Sequence, residues 1–328
     1  MKRVEALDIA KGGAIICVVL GHVVSRGTVP GAEWYMTLKW ALYKFHMPLF
    51  MALSGISLGL SWRHRQSWSA VGELVAKRVR TLMIPYLLFG VIIVGGKLFA
   101  HQFMHVDNLP DGMVSGIVKI VLYPMQSPSA FLWYIQVLAW YFLLIPWMLQ
   151  MDERRVPWYL LGAGILLNQF QWPELLNISA IVEYIPFFAA GILIGQNWNR
   201  LASGVLSTRY LLFWVAPFVI AIAYCILVDW LPKWFVGTLS IPAALVAAQA
   251  ARGIVAEKLV FLGNHTLSIY LMNTIFIGLM KGILLPLVPY RDAWFIIYFV
   301  LLALCGTIMP VVIKLALNRF YPRAAVYI

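Results

Sequence analysis

The sequence predicts an all-α polytopic membrane protein of about ten transmembrane helices, with both termini in the cytoplasm. Three observations predict it. Hydrophobic residues make up 62% of the 328-residue chain and charged residues only 12%, against about 25% charged in an average soluble domain. Apolar runs of roughly 20 residues, the length that crosses the hydrocarbon layer, recur along the whole chain. Lys and Arg fall mostly on one side of the map these runs define. A water-soluble fold with a mean hydropathy of +0.84 has too few polar residues to cover its surface. Composition therefore excludes a soluble enzyme, a disordered chain and a nucleic-acid-binding domain. The net charge of +12 and pI of about 9.7 would suit a nucleic-acid partner. Collection of basic residues at the cytoplasmic membrane face accounts for them instead.

The expected spans, in order, are 7–25, 36–62, 81–100, 129–150, 157–172, 178–197, 210–231, 233–251, 259–280 and 293–313. The first follows Lys2 and Arg3 but carries Lys11 inside its apolar stretch. The residues Val23-Val24-Ser25-Arg26 offer no small-residue cleavage site, so a permanent helix is expected rather than a signal peptide. The second span is long and contains Pro48, which frees a backbone carbonyl and permits a kink. The third is preceded by Lys77-Arg78-Val79-Arg80. The segment 112–124 is too short and too polar to span and reads as an interfacial or re-entrant helix. The fifth span is short.

Orientation follows from the loops. With the N-terminus inside, sixteen Lys and Arg residues are cytoplasmic: Lys2, Arg3, Arg63, Arg65, Lys77, Arg78, Arg80, Arg154, Arg155, Arg200, Arg209, Arg252, Lys258, Lys314, Arg319 and Arg323. Six are outside: Arg26, Lys97, Lys119, Lys233, Lys281 and Arg291. That bias supports both termini inside and an even number of crossings. Trp34, Tyr35, Trp62, Trp158, Trp172, Trp198, Trp230 and Trp294 lie near expected helix ends, as an aromatic belt requires. A single integral-membrane domain over residues 1–328 is expected. No internal repeat is evident, which weakens the transporter folds built from repeated halves.

Titratable groups inside a bilayer cost a few kcal/mol each, so each is a candidate functional residue. The first helix carries Asp8, Lys11 and His22. Asp8 and Lys11, three apart, can pair on one face. Lys11 and His22 are eleven apart, about 20° beyond three full turns, and so share a face with a rise of roughly 16 Å between them. Both can line one cavity; alternatively Lys11 snorkels to the interface and His22 caps the outer end. On the second helix Lys39 and His46 share a face, with Ser54 and Gly55 deeper. An interhelical hydrogen bond explains His46, and small-residue packing explains Ser54 and Gly55, without any site. Arg78 and Arg80 stand where the third helix is expected to start, a place where guanidinium groups and helix amides hold phosphate. Topology alone also puts basic residues there. Glu183, followed by Tyr184, should face a cavity or a basic partner in the sixth span. The ninth carries Asn264, His265, Ser268, Tyr270 and Asn273, giving two adjacent polar faces, which helix–helix hydrogen bonding explains as well as a site does. Cys17, Cys225 and Cys305 all lie in apolar runs, indicating buried thiols and neither a disulfide nor a metal centre. The six His residues show no metal-ligand spacing.

The ordered set of motifs resembles the acyltransferase 3 family of bacterial membrane O-acyltransferases. LDIAKGGAIICVVLGH resembles its first-helix motif, a basic residue, ten residues and a His, here Lys11 and His22. FHMPLFMALSGISLG resembles the second-helix block and KRVRTLMIPYLLFG the basic start of the third. LWYIQVLAWYFLLIP, EYIPFFAAGILIG and FLGNHTLSIYLMN resemble three later blocks. Two positions depart from the pattern. Lys11 stands where Arg is frequent, replacing a bidentate fork by a point charge. Asn273 stands where His is frequent, so no proton-transfer role carries over to it.

The resemblance implies transfer of an acyl group, most often acetyl, from cytoplasmic acyl-CoA to a sugar hydroxyl on a surface glycan or its lipid-linked precursor. Acetyl-CoA is then a donor substrate rather than a resident cofactor. The partners are the glycan and the lipid bilayer, without nucleic acid, in a multi-pass protein of the inner cell membrane. His22 is the expected general base and His46 its orienting or carbonyl-polarising partner. Lys11, Arg78 and Arg80 are assigned to the donor, and Glu183, Tyr184 and Asn273 to the acceptor. The competing reading is a glycan or lipid-intermediate transporter, a flippase, that uses the intramembrane Lys and His residues as a proton relay.

Overall fold

The structure, a computed structural model, describes residues 4–24, 27–62, 67–103, 106, 108–228 and 231–322. Lys2, Arg3, Ser25, Arg26, Arg63, Arg65, Trp230 and Arg323, which enter the charge, cleavage and aromatic readings above, lie outside the described residues. The described chain is helical, with no strand among its elements. In order these are α1 (Glu5–His22), α2 (Glu33–Ser61), α3 (Trp68–Ala100), α4 (Met113–Leu122), α5 (Trp133–Met151), α6 (Val156–Leu167), α7 (Ile178–Gln196), α8 (Trp198–Ser203), α9 (Leu211–Val228), α10 (Lys233–Ala250), α11 (Gly253–Asn264), α12 (Thr266–Leu284) and α13 (Phe295–Phe320).

Among the described residues, six helical segments are long and apolar enough to cross a membrane: Trp68–Ala100, Ala130–Met151, Leu175–Gln196, Thr208–Val228, Thr266–Leu284 and Asp292–Phe320. Four of the expected spans differ from the helices observed. α1 has Glu5, Asp8 and Lys11 within 18 residues and buries its apolar side against other helices. The expected fifth span shortens to α6, an apolar helix of 12 residues. The expected ninth span is two helices, because the chain turns at His265 between α11 and α12. Asn264 and Ser268 therefore do not share one helix face. The third helix begins at Trp68, capped by the Ser67 side chain on the Ala70 amide, and not at residue 81. The short helix anticipated over 112–124 is α4.

The chain divides into two compact units. Met1–Ser61 with Gly191–Arg319 forms the first, and Trp62–Ala190 with Phe320–Ile328 the second. In the first unit α1 is the central helix and packs against α2, α10, α11 and α12. Its crossing with α11 has no room for side chains: a Cβ on Gly12 would strike the Leu259 carbonyl, and one on Gly263 the Asp8 carbonyl. Close backbone approach of this kind is how membrane helices gain contact where no hydrophobic drive separates helix from lipid. α2 meets residues 191–196 in the same way, through Gly59, Gly191 and Gly195. By contrast α9 leaves Leu212, Ile220 and Leu227 exposed, the surface expected of a lipid-facing helix.

In the second unit α3 packs on α5, with the Trp68 and Trp147 rings stacked. The C-terminal carbonyls of α4 are satisfied from two neighbours: Tyr86 Oη donates to Ile120 O at 2.5 Å, and Gln136 Nε2 donates to Val121 O at 2.9 Å. These bonds fix a short helix that could not stand alone.

Candidate functional site

The first unit gathers His22, His46 and Asn273. His22 is the last residue of α1, and its Nδ1 lies 3.0 Å from Asn273 Oδ1 on α12. Asn273 is fully buried. Its Nδ2 donates to Ile269 O at 2.9 Å and Tyr270 O at 2.8 Å. Carbonyls only accept, so these two bonds fix the amide with Oδ1 toward the imidazole. His22 must then carry its proton on Nδ1, which leaves Nε2 as the nitrogen that can accept one. Each of the three amide-side contacts therefore bears on the tautomer of one histidine.

The end of α1 is held by a stripe of side chains on α2. Tyr35 Oη donates to Leu20 O at 3.0 Å and accepts from Val24 N at 3.1 Å. Lys39 Nζ donates to Val24 O at 2.6 Å, and Tyr43 Oη to Gly21 O at 3.2 Å. Residues 35, 39 and 43 are spaced four apart and so lie on one helix face. They supply donors to carbonyls that a helix terminus leaves open, and the Lys39 charge complements the negative end of the α1 dipole. His46 continues the stripe. Its ring lies 5.0 Å from that of Tyr43, and its Nδ1 donates to Leu42 O at 2.6 Å. It too presents Nε2 as the acceptor nitrogen. The shared face of Lys39 and His46 was legible in the spacing; the roles of Tyr35 and Tyr43 were not. Tyr35, counted above in the aromatic belt, is instead buried with its hydroxyl bonded twice.

Lys11 lies on the same uninterrupted helix as His22, beside the Gly12 crossing with α11. The geometry gives Asn273 a partner, His22, in place of the open surface an acceptor-binding role requires. Asn264 and His265 sit at the turn between α11 and α12, where His265 Nδ1 donates to Phe261 O at 2.7 Å.

The second unit holds the other expected site residues. Arg78 and Arg80 are exposed, but they lie ten and twelve residues into α3, far from its N-terminal amides. The expectation that those amides stand beside Arg78 and Arg80 is thereby corrected. Arg78 lies over the Phe142 ring of α5, 5.4 Å from its centroid, a contact that orients the fork. Tyr184 is buried, its ring 5.0 Å from that of Trp133. Glu183 lines a small cleft with Met125, Glu174, Asn177, Ser179 and Ala180. Sequence reasoning passed over Asn177. It is buried, and both it and Leu176 have left-handed backbone, with φ of 61° and 53°. Asn accepts that conformation readily; Leu does so at a cost of about 1–2 kcal/mol.

The sequence pattern of the family described as "Acyltransferase domain" matches residues 4–312, nearly the whole chain. The chain belongs to the acyltransferase 3 family. Two relatives are both named nodulation protein NolL. The chain is 30% identical over 226 residues to the one from Sinorhizobium fredii (strain NBRC 101917 / NGR234), covering 68% of this chain and 56% of that protein. It is 26% identical over 227 residues to the one from Mesorhizobium japonicum (strain LMG 29417 / CECT 9101 / MAFF 303099), covering 68% and 55%. The chain thus spans a little over half the length of the curated relatives it matches. No solved structure matches it. The acyltransferase 3 pattern runs through both units, so Lys11, His22, Arg78, Glu183 and Asn273 all fall inside the matched region.

Proposed function

We propose that the chain is a multi-pass inner-membrane O-acyltransferase, forming one functional domain over residues 1–328 with ten crossings and both termini cytoplasmic. It moves an acyl group, most simply acetyl, from cytoplasmic acyl-CoA to a hydroxyl of a surface-glycan sugar or its lipid-linked precursor. One observation carries this reading: Asn273 holds His22 in the tautomer whose Nε2 accepts a proton. A sugar hydroxyl is a weak nucleophile at neutral pH. His22 Nε2 takes its proton as the oxygen bonds to the thioester carbonyl carbon. When the carbon–sulfur bond breaks, that proton passes to the departing CoA sulfur, and the base is restored. His46, tied to Leu42 O and packed on Tyr43, orients the reacting groups. Arg78 and Arg80 hold donor phosphates through charge-assisted hydrogen bonds, and Lys11 meets the donor along the α1 face.

Membranes carrying the full chain, supplied with acetyl-labelled acetyl-CoA and a glycan acceptor, test the reading directly. Label on ester-linked glycan acetate, lost in His22→Gln, is expected. Movement of a glycan intermediate without label transfer would replace the enzyme by a flippase. Reporter fusions after the C-terminus and within 101–128 should face opposite sides of the membrane; the same side for both would overturn the ten-crossing map.

A further inference from the structure

The second unit contains a polar group whose hydrogen bonding is incomplete. Gln136 Nε2 donates to Val121 O, so Gln136 Oε1 must face the other way. That oxygen accepts from Asn177 Nδ2 at 2.7 Å, and the same Nδ2 lies 3.4 Å from Trp133 O. Two backbone carbonyls thus fix both amides, and neither can be flipped without placing oxygen against oxygen. Asn177 Oδ1 is left buried with no hydrogen-bond partner among the described residues. An acceptor in that state costs about 1–3 kcal/mol unless something donates to it.

Asn177 lines the cleft that also presents the carboxylates of Glu174 and Glu183, the Ser179 hydroxyl and the apolar Met125. Gln126 Nε2 donates to Glu174 Oε2 at 3.0 Å, which sets that carboxylate in place. The cleft is therefore an array of acceptors around an unfilled amide oxygen. It asks for an occupant that brings several donors at fixed spacing. A metal ion brings none, and among the described residues no three His, Cys, Asp or Glu side chains converge to hold one. An ammonium group would satisfy one carboxylate but needs neither the neutral amide oxygen nor the hydroxyl. A sugar ring supplies adjacent hydroxyl donors and apolar C–H faces together, matching carboxylates, amide oxygen, serine and Met125.

We propose that this cleft is a saccharide-binding site, in which Glu183, Glu174 and Asn177 Oδ1 accept hydrogen bonds from ring hydroxyls. That the bound sugar is the acceptor glycan rests on the transfer reading above; the binding itself does not. The test uses the full chain in nanodiscs without acyl-CoA. Saturation-transfer NMR with glucose, galactose, mannose and N-acetylglucosamine reads binding of each. A signal from at least one is expected, with its dissociation constant raised about tenfold or more in Glu183→Gln and in Asn177→Gly, each a lost hydrogen bond to a polar partner. Glycine keeps the left-handed backbone at 177, so that variant removes the acceptor without imposing strain. Should either variant fail to fold, Glu174→Gln on the exposed rim gives the same reading. No signal from any of the four sugars, or equal affinity in all variants, overturns the proposal. So does binding of choline in place of the sugars. Sugar binding in a chain that transfers no label would remove the transfer reading and leave this site standing. Label transfer with an unchanged acceptor KM in the variants would do the reverse.

Discussion

Asn273 and Asn177 are both buried asparagines, and each donates through Nδ2 to two oxygens. They differ in the third bond. Asn273 Oδ1 accepts from His22, whereas Asn177 Oδ1 accepts from nothing among the described residues. A complete network in a medium of low dielectric is rigid and fixes the protonation site of the group it touches. An incomplete one stores an unmet demand that a ligand can meet. On the proposed reading, one side-chain type prepares a reactive group in one unit and captures a ligand in the other.

The largest expected effect attacks the complete network at its working end. His22→Gln preserves hydrogen bonding but cannot take a proton, and kcat should fall by roughly 10²–10⁴-fold, the usual contribution of a general base. Substantial activity in purified His22→Gln would move the role to His46. One step removed, Asn273→Ala leaves His22 without its orienting acceptor. A fall in kcat of about 10- to 100-fold is expected, the scale seen for outer partners of working histidines, with KM for both substrates little changed. Asn273→Asp keeps an acceptor for His22 Nδ1 but sets its second oxygen against Ile269 O and Tyr270 O, so kcat should recover only in part. An unchanged kcat in Asn273→Ala would assign Asn273 to packing alone.

The donor contacts should separate from the chemistry. Replacing Arg78 and Arg80 together by Gln removes charge-assisted bonds worth on the order of 1.5–3 kcal/mol each. Steady-state kinetics should show the KM for acyl-CoA raised at least about tenfold, with kcat altered less. A KM that stays put would leave these arginines only their topological role. The smallest effect sharpens the comparison from the other side. Gln136→Leu removes the donor to Val121 O and the shorter of the two Asn177 Nδ2 bonds, so unfolding should become easier by about 1–3 kcal/mol, seen as a lower melting temperature in detergent. The kcat of folded protein should hold, because Gln136 bonds Val121 O and Asn177 Nδ2, whereas Asn273 bonds His22, Ile269 O and Tyr270 O.

Much of this was legible in the sequence, for reasons of period and length. The helical class, the Lys11–His22 and Lys39–His46 faces and the short α4 all follow from local spacing. The break at His265 was hidden because a hydropathy window averages over a one-residue turn. The true start of α3 was hidden because Trp68–Arg80 is amphipathic rather than apolar, and helices run past the hydrocarbon layer. Tyr35 and Tyr43 look like belt aromatics until the carbonyls of α1 are placed beside them. Asn177 carries no local signal at all: its meaning depends on Gln136, 41 residues away.

The stripe Tyr35–Lys39–Tyr43–His46 has a consequence for how the chain tolerates change in length. Tyr35, Lys39 and Tyr43 reach the end of α1 only because they share one face of α2. A residue inserted within α2 after Tyr35 would rotate everything beyond it by about 100°. Lys39 and Tyr43 would then swing off the carbonyls of Val24 and Gly21, and His46 would turn with them, while every residue type stayed in place. A residue added before α2 leaves the register of that helix intact, and its cost is chiefly loop entropy, which grows slowly. Insertions on the two sides of Glu33, only a few residues apart, should therefore differ in outcome as a phase error differs from slack.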